Sequence, residues 1–154
     1  MSGDFGPAVS NGWTLPPYRH LPGHTAKPED GPAHAMARAA PARMEPSHWQ
    51  TNSAYLYGFV LYRAAYYWEA HEVWEAVWRS CRPNSRERYL LQALIQLANA
   101  GLKQRLDQPS AVRRIRLHAV ELLREAGSAD ASESQVLGVD TDRLRAQVEL
   151  ELAA

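Results

Sequence analysis

The 154-residue chain has one cysteine, no excess charge of either sign and no long apolar run. Cys81 cannot form a disulfide within the chain, so a reducing compartment is expected. Lysine plus arginine and aspartate plus glutamate each number 17, which leaves no overall attraction to nucleic acid or to an anionic membrane. No stretch approaches the roughly 18 apolar residues of a membrane span. The N-terminal residues lack the basic start and apolar core of a signal peptide. We therefore expect a small soluble protein of the cytoplasm that has no membrane partner.

Proline is scarce after the first third of the chain. Eight of the ten prolines lie within residues 1–48, at positions 7, 16, 17, 22, 28, 32, 41 and 46. Proline lacks an amide donor and blocks helix interiors, so this third is expected to contain no regular structure. The sequence therefore predicts two parts, a proline-rich N-terminal arm over 1–48 and a helical domain over 49–154.

Part of this arm is expected to dock onto the domain. The segment TLPPYRHLPGH mixes large apolar side chains with rigid prolines, which a solvated linker has little use for. We expect residues 13–34 to pack against the domain through Trp13, Tyr18 and Leu21. Residues 1–10 and 36–46 are expected to be disordered.

The rest of the chain carries the 3.6-residue periodicity of helices and no alternation of period two. The fold class is therefore predicted to be all-α, a compact bundle of four to five helices without a sheet. An apolar run over 54–62 and a second helical stretch over 66–80 are separated by a turn near residues 63–65.

The later helix boundaries are predicted from capping residues. Pro83 breaks the chain, and Asn84 followed by Glu87 has the pattern of a capping box at the start of a helix that runs to about residue 105. The remaining boundaries are a helix start at Pro109 and Ser110 with Ser110 as the cap, a stop at Gly127 before a loop over 128–135, and a cap at Asp140.

The stretch HEVWE, residues 71–75, is one letter short of the zinc-protease motif HExxH. Glu75 stands where that motif has its second histidine. At about 100° per residue, His71, Glu75 and Trp78 line up at the border of an apolar helix face. Glu72 and Arg79 fall on the far side of the helix. The spacing of Glu75 and Arg79 also suits a surface ion pair.

A narrow polar stripe on the next helix complements this border. Gln92, Gln96, Asn99 and Lys103 recur at helical spacing beside small alanines. Amides in such a setting suit a close helix–helix contact, where glutamine can donate to a carboxylate and accept from an imidazole. We therefore expect an inward polar cluster with a largely buried glutamate, formed by His71, Glu75, Trp78, Gln92 and Gln96.

The residues HEVWEAVW resemble the HxxxExxW signature of the uncharacterised family called domain of unknown function 309. The blocks EAHEVWEAVW, PNSRERYLLQ and LIQLANAGLK also resemble that family, over about residues 53–126, and WTLPPYRHLPG is similar to an extension carried by many bacterial members. Many members have asparagine and glycine near Arg63 and Ala65, where this chain differs. The resemblance implies a compact helical bundle whose invariant polar residues face inward, and it implies no activity.

Three functions remain open on these residues. A divalent metal bound by His71 and Glu75 would support hydrolase-like chemistry, with Glu72 or Glu69 as the base and His34 or His118 as a third ligand. A metal-free enzyme would use His71 as an acid or base oriented by Glu75. The third reading treats the cluster as a structural hydrogen-bond network, which leaves a binding or scaffolding module as the function, and it is the one favoured.

No partner is identified by the sequence. Basic residues cluster without an aromatic platform for stacking bases, so nucleic acid is not favoured; they are Lys103, Arg105, Arg113, Arg114 and Arg116. A homo-oligomer stays open.

Overall fold

The computed structural model describes residues 5–10, 12–127 and 135–154. Its elements are, in order, α1 (Pro32–Arg38), a 3₁₀ helix (Pro46–Thr51), α2 (Ser53–Arg63), α3 (Tyr67–Ser80), α4 (Arg86–Arg105), α5 (Pro109–Ala126), β1 (Gln135–Val136), β2 (Val139–Asp140) and α6 (Thr141–Ala153). The predicted all-α class is confirmed, with five α-helices from residue 50 onward. Within the described ranges, no helix is both long enough and apolar enough to cross a membrane. The loop predicted over 128–135 lies outside them, except for its last residue.

The helices pack in chain order around one core. Helix α3 lies between α2 and α4, α5 packs on α4, and α6 packs on α5, while α1 covers another side of α3. The face predicted for the 66–80 stretch is buried throughout, and its members are Tyr66, Ala70, Val73, Trp74 and Val77. The periodicity therefore identified the buried side of α3 correctly.

The turn between α2 and α3 is confirmed. Ala65 has a positive φ of 65°, and the amide of Tyr66 donates to the carbonyl of Leu61 at 2.8 Å. Asparagine or glycine adopts this left-handed conformation more readily than alanine does. Alanine therefore holds the turn here at some conformational cost.

Two predicted caps are wrong by one or two residues. Helix α4 is capped by Ser85, whose hydroxyl accepts from the amide of Arg88 at 3.2 Å, whereas Asn84 has a φ of 60° in the preceding turn. Asparagine tolerates a positive φ, so it serves the turn and leaves the cap to serine. Helix α5 begins at Pro109, as predicted, but its N-cap is Gln108, and Ser110, the predicted cap, lies inside the helix.

The other predicted boundaries hold. Helix α5 ends at Ala126, followed by Gly127 as its C-cap. Asp140 caps α6, because its carboxylate accepts from the amide of Arg143 at 3.1 Å. Arg105 is the last residue of α4, as the sequence predicted.

A small antiparallel hairpin contradicts the prediction that the domain has no sheet. Strands β1 and β2 pair Gln135 with Asp140 and Val136 with Val139. The two turn residues, Leu137 and Gly138, both have positive φ, as a tight two-residue hairpin turn requires. Strands of two residues are too short to show alternation, so the periodicity could not reveal them.

The arm contains regular structure, which corrects the expectation of none. Helix α1 begins with Pro32, a position where proline's missing amide costs nothing. Residues 36–46 and the described residues 5–10 also pack against the domain, contrary to the disorder predicted for 36–46 and 1–10. Phe5 is 7% exposed, and its carbonyl accepts from Nη2 of Arg63 at 3.0 Å. Met44 is 2% exposed, and its amide donates to the carbonyl of Ser80 at 2.9 Å.

Docking of the arm is confirmed for Trp13. Its ring stacks on Tyr57 with centroids 5.5 Å apart. The prediction is wrong for Tyr18, which is 41% exposed and donates its hydroxyl proton to the carbonyl of Ala26 within the arm. Leu21 is half-buried, and its backbone closes a local turn with Thr25.

Candidate functional site

Helix α3 gathers one histidine and two carboxylates on its partly buried side. Nε2 of His71 lies 3.1 Å from Oε2 of Glu75, and Nδ1 of His71 lies 3.4 Å from Oε1 of Glu72. The side chains of His71, Glu72 and Glu75 are 23%, 39% and 33% exposed. One ligand atom from each residue lies within 4.8 Å of the others. The helix therefore places the imidazole between two carboxylates, each of which lies near a different ring nitrogen.

Glu75 is bound on its other side by an arginine. Oε1 of Glu75 accepts from Nη2 of Arg79 at 2.5 Å, the ion pair that the sequence offered as an alternative. In the described residues, no hydrogen bond joins Glu75 to Gln92 or Gln96, both of which are half-buried on α4. A charged donor one turn away makes a stronger hydrogen bond than a neutral amide does. The expected amide partners are therefore replaced by Arg79, and Glu75 keeps about a third of its surface in solvent.

Trp78 lies one turn beyond Glu75 and is packed under an arginine. The guanidinium of Arg88 stands 4.1 Å from the centre of the Trp78 ring, and its Nη1 donates to the carbonyls of Trp78 and Cys81. Nε1 of Trp78 and Nδ1 of His71 are both buried without a hydrogen-bond partner in the described structure. Buried polar atoms of this kind call for an explanation, because leaving one unpaired costs about 1–3 kcal/mol.

The histidines proposed as third ligands do not join this group. Among the described residues, the ligand group consists of His71, Glu72 and Glu75. His34 lies on α1 with its ring 6.2 Å from the ring of Trp68. His118 is exposed on α5. Glu72 is therefore the third potential metal ligand, a role for which the sequence analysis named His34 or His118.

Glu69, a candidate base in the sequence analysis, is the most buried carboxylate of α3. It is 1% exposed, and its Oε2 accepts from the backbone amide of His20 at 2.9 Å, while Oε1 has no partner in the described structure. Burial raises the pKa of the Glu69 carboxyl, and the amide of His20 and the nearby charge of Arg19 oppose that rise. Residues of the arm therefore contact this carboxylate directly.

Cys81 follows α3 and is not activated as a nucleophile. Its thiol is 4% exposed and donates to the carbonyl of Val77. Burial, followed by the charge of Glu87, raises the pKa of the Cys81 thiol to about 12, and Arg88 opposes the rise. The thiolate needed for covalent chemistry is therefore scarce at neutral pH.

We expect Cys81 to react with a thiol reagent at pH 8 at least about 100-fold more slowly in the native protein than in urea, because burial limits both thiolate and access. The rate of reaction with a chromogenic disulfide in the presence and absence of denaturant measures this ratio. Equal rates would show that the thiol is open to solvent and that its pKa is unshifted.

The basic residues near the α4–α5 junction are partly used within the fold. Arg116 pairs with Glu151 at 3.4 Å and donates to Gln104, and Arg113 donates to the carbonyl of Leu152. The contacts to Leu152 and Glu151 tie α5 to α6, and the ion pair with Glu151 offsets the charge of Arg116.

The fold and the cluster together define a small all-α protein with a partly buried histidine–carboxylate group on its third helix. Residues 55–115 match the model of the family described as Domain of unknown function (DUF309). This segment runs from α2 into α5, so the resemblance read from the sequence is confirmed there. No curated protein and no solved structure matches the chain. These comparisons assign no activity to the chain.

Proposed function

We propose that this protein is a binding module whose α3 cluster holds a divalent metal ion through His71, Glu72 and Glu75. The proposal is supported above all by the three ligand atoms that lie within 4.8 Å of one another. One imidazole nitrogen and two carboxylate oxygens form a donor set that zinc accepts. A bound ion would also explain why Nδ1 of His71 is buried without a partner.

Binding of zinc by all three residues requires their side chains to rearrange. Ligand atoms around a tetrahedral zinc ion stand about 3.4 Å apart, because the zinc–nitrogen and zinc–oxygen distances are about 2.1 Å. Oε2 of Glu75 lies 3.1 Å from Nε2 of His71, whereas Oε1 of Glu72 lies 3.4 Å from Nδ1, so the two short separations involve different ring nitrogens. One ion can bind only one of these nitrogens. With Nδ1 as the ligand, Glu75 would have to leave Nε2 and turn its carboxylate toward Glu72. Three protein ligands would leave a fourth position for water or a small ligand.

Arg79 opposes metal binding in this arrangement. Its guanidinium occupies Oε1 of Glu75 and adds a positive charge beside the site. A bound ion would have to share that carboxylate or displace the arginine. The Arg79 side chain is 65% exposed, so displacement into solvent carries a small cost.

A binding role agrees better with the surroundings than the metal-free enzyme does. An acid–base pair at His71 and Glu75 still lacks an evident nucleophile, because Cys81 is buried with its thiol protonated. The hydrogen-bond network favoured from the sequence required Glu75 to pair with the glutamines of α4, but Glu75 accepts a hydrogen bond from Arg79 instead. The proposed cation site uses the histidine and the two carboxylates that lie close together on α3.

Zinc should bind the wild-type protein with one equivalent, and His71→Ala should weaken that binding at least tenfold. Removing the imidazole leaves two partly exposed carboxylates, which hold zinc poorly without a nitrogen ligand. Titration of zinc in competition with a chromophoric chelator measures both affinities. His118→Ala is the matched control, because that histidine is exposed on α5 and away from the cluster.

Arg79→Ala should act in the opposite direction and tighten zinc binding several-fold. This substitution removes a competing cation from Glu75 without touching a ligand. The proposal fails if wild type binds no zinc, or if His118→Ala weakens binding as much as His71→Ala does. Unchanged far-UV circular dichroism in each variant separates loss of a ligand from loss of the fold.

A further inference from the structure

The arm is held by side chains of the domain that donate to its backbone carbonyls. The hydroxyl of Tyr57 donates to the carbonyl of Thr14 at 2.5 Å, and the hydroxyl of Tyr66 donates to the carbonyl of Pro16 at 3.1 Å. Nη2 of Arg63 donates to two further carbonyls, those of Phe5 at 3.0 Å and Pro7 at 2.8 Å. Carbonyls occur in every peptide, so these donors recognise the extended shape of the chain.

Side-chain contacts add sequence preference to that backbone recognition. Trp13 stacks on Tyr57, and Pro16, three residues later, is buried. Nearer the N-terminus, Phe5 is 7% exposed and makes edge contacts with two aromatic rings of α2. We call the receiving surface the arm groove; it is formed by Tyr57, Phe59, Tyr62, Arg63 and Tyr66.

An aromatic groove with hydroxyl donors is a known way to recognise proline-containing peptides. Such segments are already extended in solution, so little conformational entropy is lost when they bind. The arm supplies the features such a groove requires, namely backbone carbonyls that accept hydrogen bonds from side chains, an aromatic anchor and a buried proline. The arm groove is therefore built like a peptide-binding site that is filled by part of its own chain.

Within the arm, residues 5–20 are joined to α1 by a segment that is mostly exposed. Residues 22–31 lie largely in solvent, and the turn at their start is closed by local hydrogen bonds from His24 and Thr25 to Leu21. Gly23 and Gly31 have positive φ and open space where a side chain would stand. A segment of this kind can change its path without disturbing the core.

We propose that the arm groove is a peptide-recognition site that also accepts residues 5–20 of the arm of a second copy of this chain. The second copy carries the same sequence that fits the groove here, and exchange of identical segments is a low-cost route to association. The net charge of zero gives no long-range repulsion between copies. Attachment in the same chain gives the arm a high effective concentration, so the wild-type arm stays mainly in its own groove.

A complementation experiment tests the exchange. One variant, Tyr57→Phe with Tyr66→Phe, removes two groove donors and keeps the rings and an intact arm. The other, Trp13→Ala, weakens its own arm and keeps an intact groove. Each alone is expected at the single-chain mass of 17.3 kDa by light scattering, whereas the mixture is expected to contain a species of twice that mass. Adding Trp13→Ala to the first variant should abolish that species.

A labelled peptide with the sequence of residues 5–20 gives a second readout that does not need the tyrosine variants to fold. Its anisotropy should show binding to the Trp13→Ala chain at least tenfold tighter than to wild type, whose groove is filled. Peptide binding without the heavier species would overturn exchange between copies. No difference between wild type and Trp13→Ala, with both folded by circular dichroism, would overturn the groove itself.

Discussion

Replacing Trp74 by alanine should lower the free energy of unfolding by about 3–5 kcal/mol, the usual cost of truncating a buried large aromatic residue. Trp74 is fully buried between α2 and the rest of the core. Its ring meets Phe59 edge-on with centroids 5.1 Å apart, and its Nε1 donates to the carbonyl of Tyr55 at 3.1 Å. The substitution removes these contacts together and leaves a cavity that the helices cannot fully close.

Urea denaturation measures this loss, and Trp13→Ala is the matched control. Trp13 is a tryptophan of the arm that is only partly buried and stacks on one ring. Trp13→Ala should lower the free energy of unfolding by less than half as much as Trp74→Ala does. Equal losses for the two variants would mean that the core is not centred on Trp74.

Gly58→Ala should lower the free energy of unfolding by about 1–3 kcal/mol, the usual range for overpacking a filled core. Alanine normally favours a helix interior over glycine by about 1 kcal/mol, so the expected sign is opposite to helix propensity. A Cβ atom on Gly58 would stand 2.0 Å from Nε1 of Trp74, far inside any contact distance. The absence of a side chain lets the indole reach the backbone of α2.

The same denaturation curves check this prediction, with Ser53→Ala as a control at the exposed start of α2. That control should change stability by less than about 0.5 kcal/mol. In the background Trp74→Phe, Gly58→Ala should cost less than in wild type, because the two sites are in contact and couple. A Gly58→Ala protein as stable as wild type would show that the indole packs elsewhere.

Features set by neighbouring residues could be predicted from the sequence. The buried face of α3 follows from its helical periodicity, and Asp140 caps α6 because its carboxylate reaches an amide three residues later. The closeness of His71 and Glu75 follows from their one-turn spacing. These interactions lie within one helix and need no knowledge of the tertiary fold.

Features set by distant parts of the chain could not be predicted. Glu69 is buried by His20, 49 residues earlier, so nothing next to it in the sequence signals its burial. Whether Glu75 pairs with Arg79 or with the glutamines of α4 depends on how two helices pack. The small hairpin depends on a turn and two residue pairs, too few to produce a pattern.

Nuclear magnetic resonance of the histidine ring nitrogens during a zinc titration tests the cation site most directly. The chain has six histidines, and each ring gives its own signals. The proposal predicts that one equivalent of zinc shifts a ring nitrogen of His71, and that the signals of exposed His118 stay in place. Zinc that shifts other histidines and leaves His71 unchanged, or that shifts none, would contradict a metal site on α3.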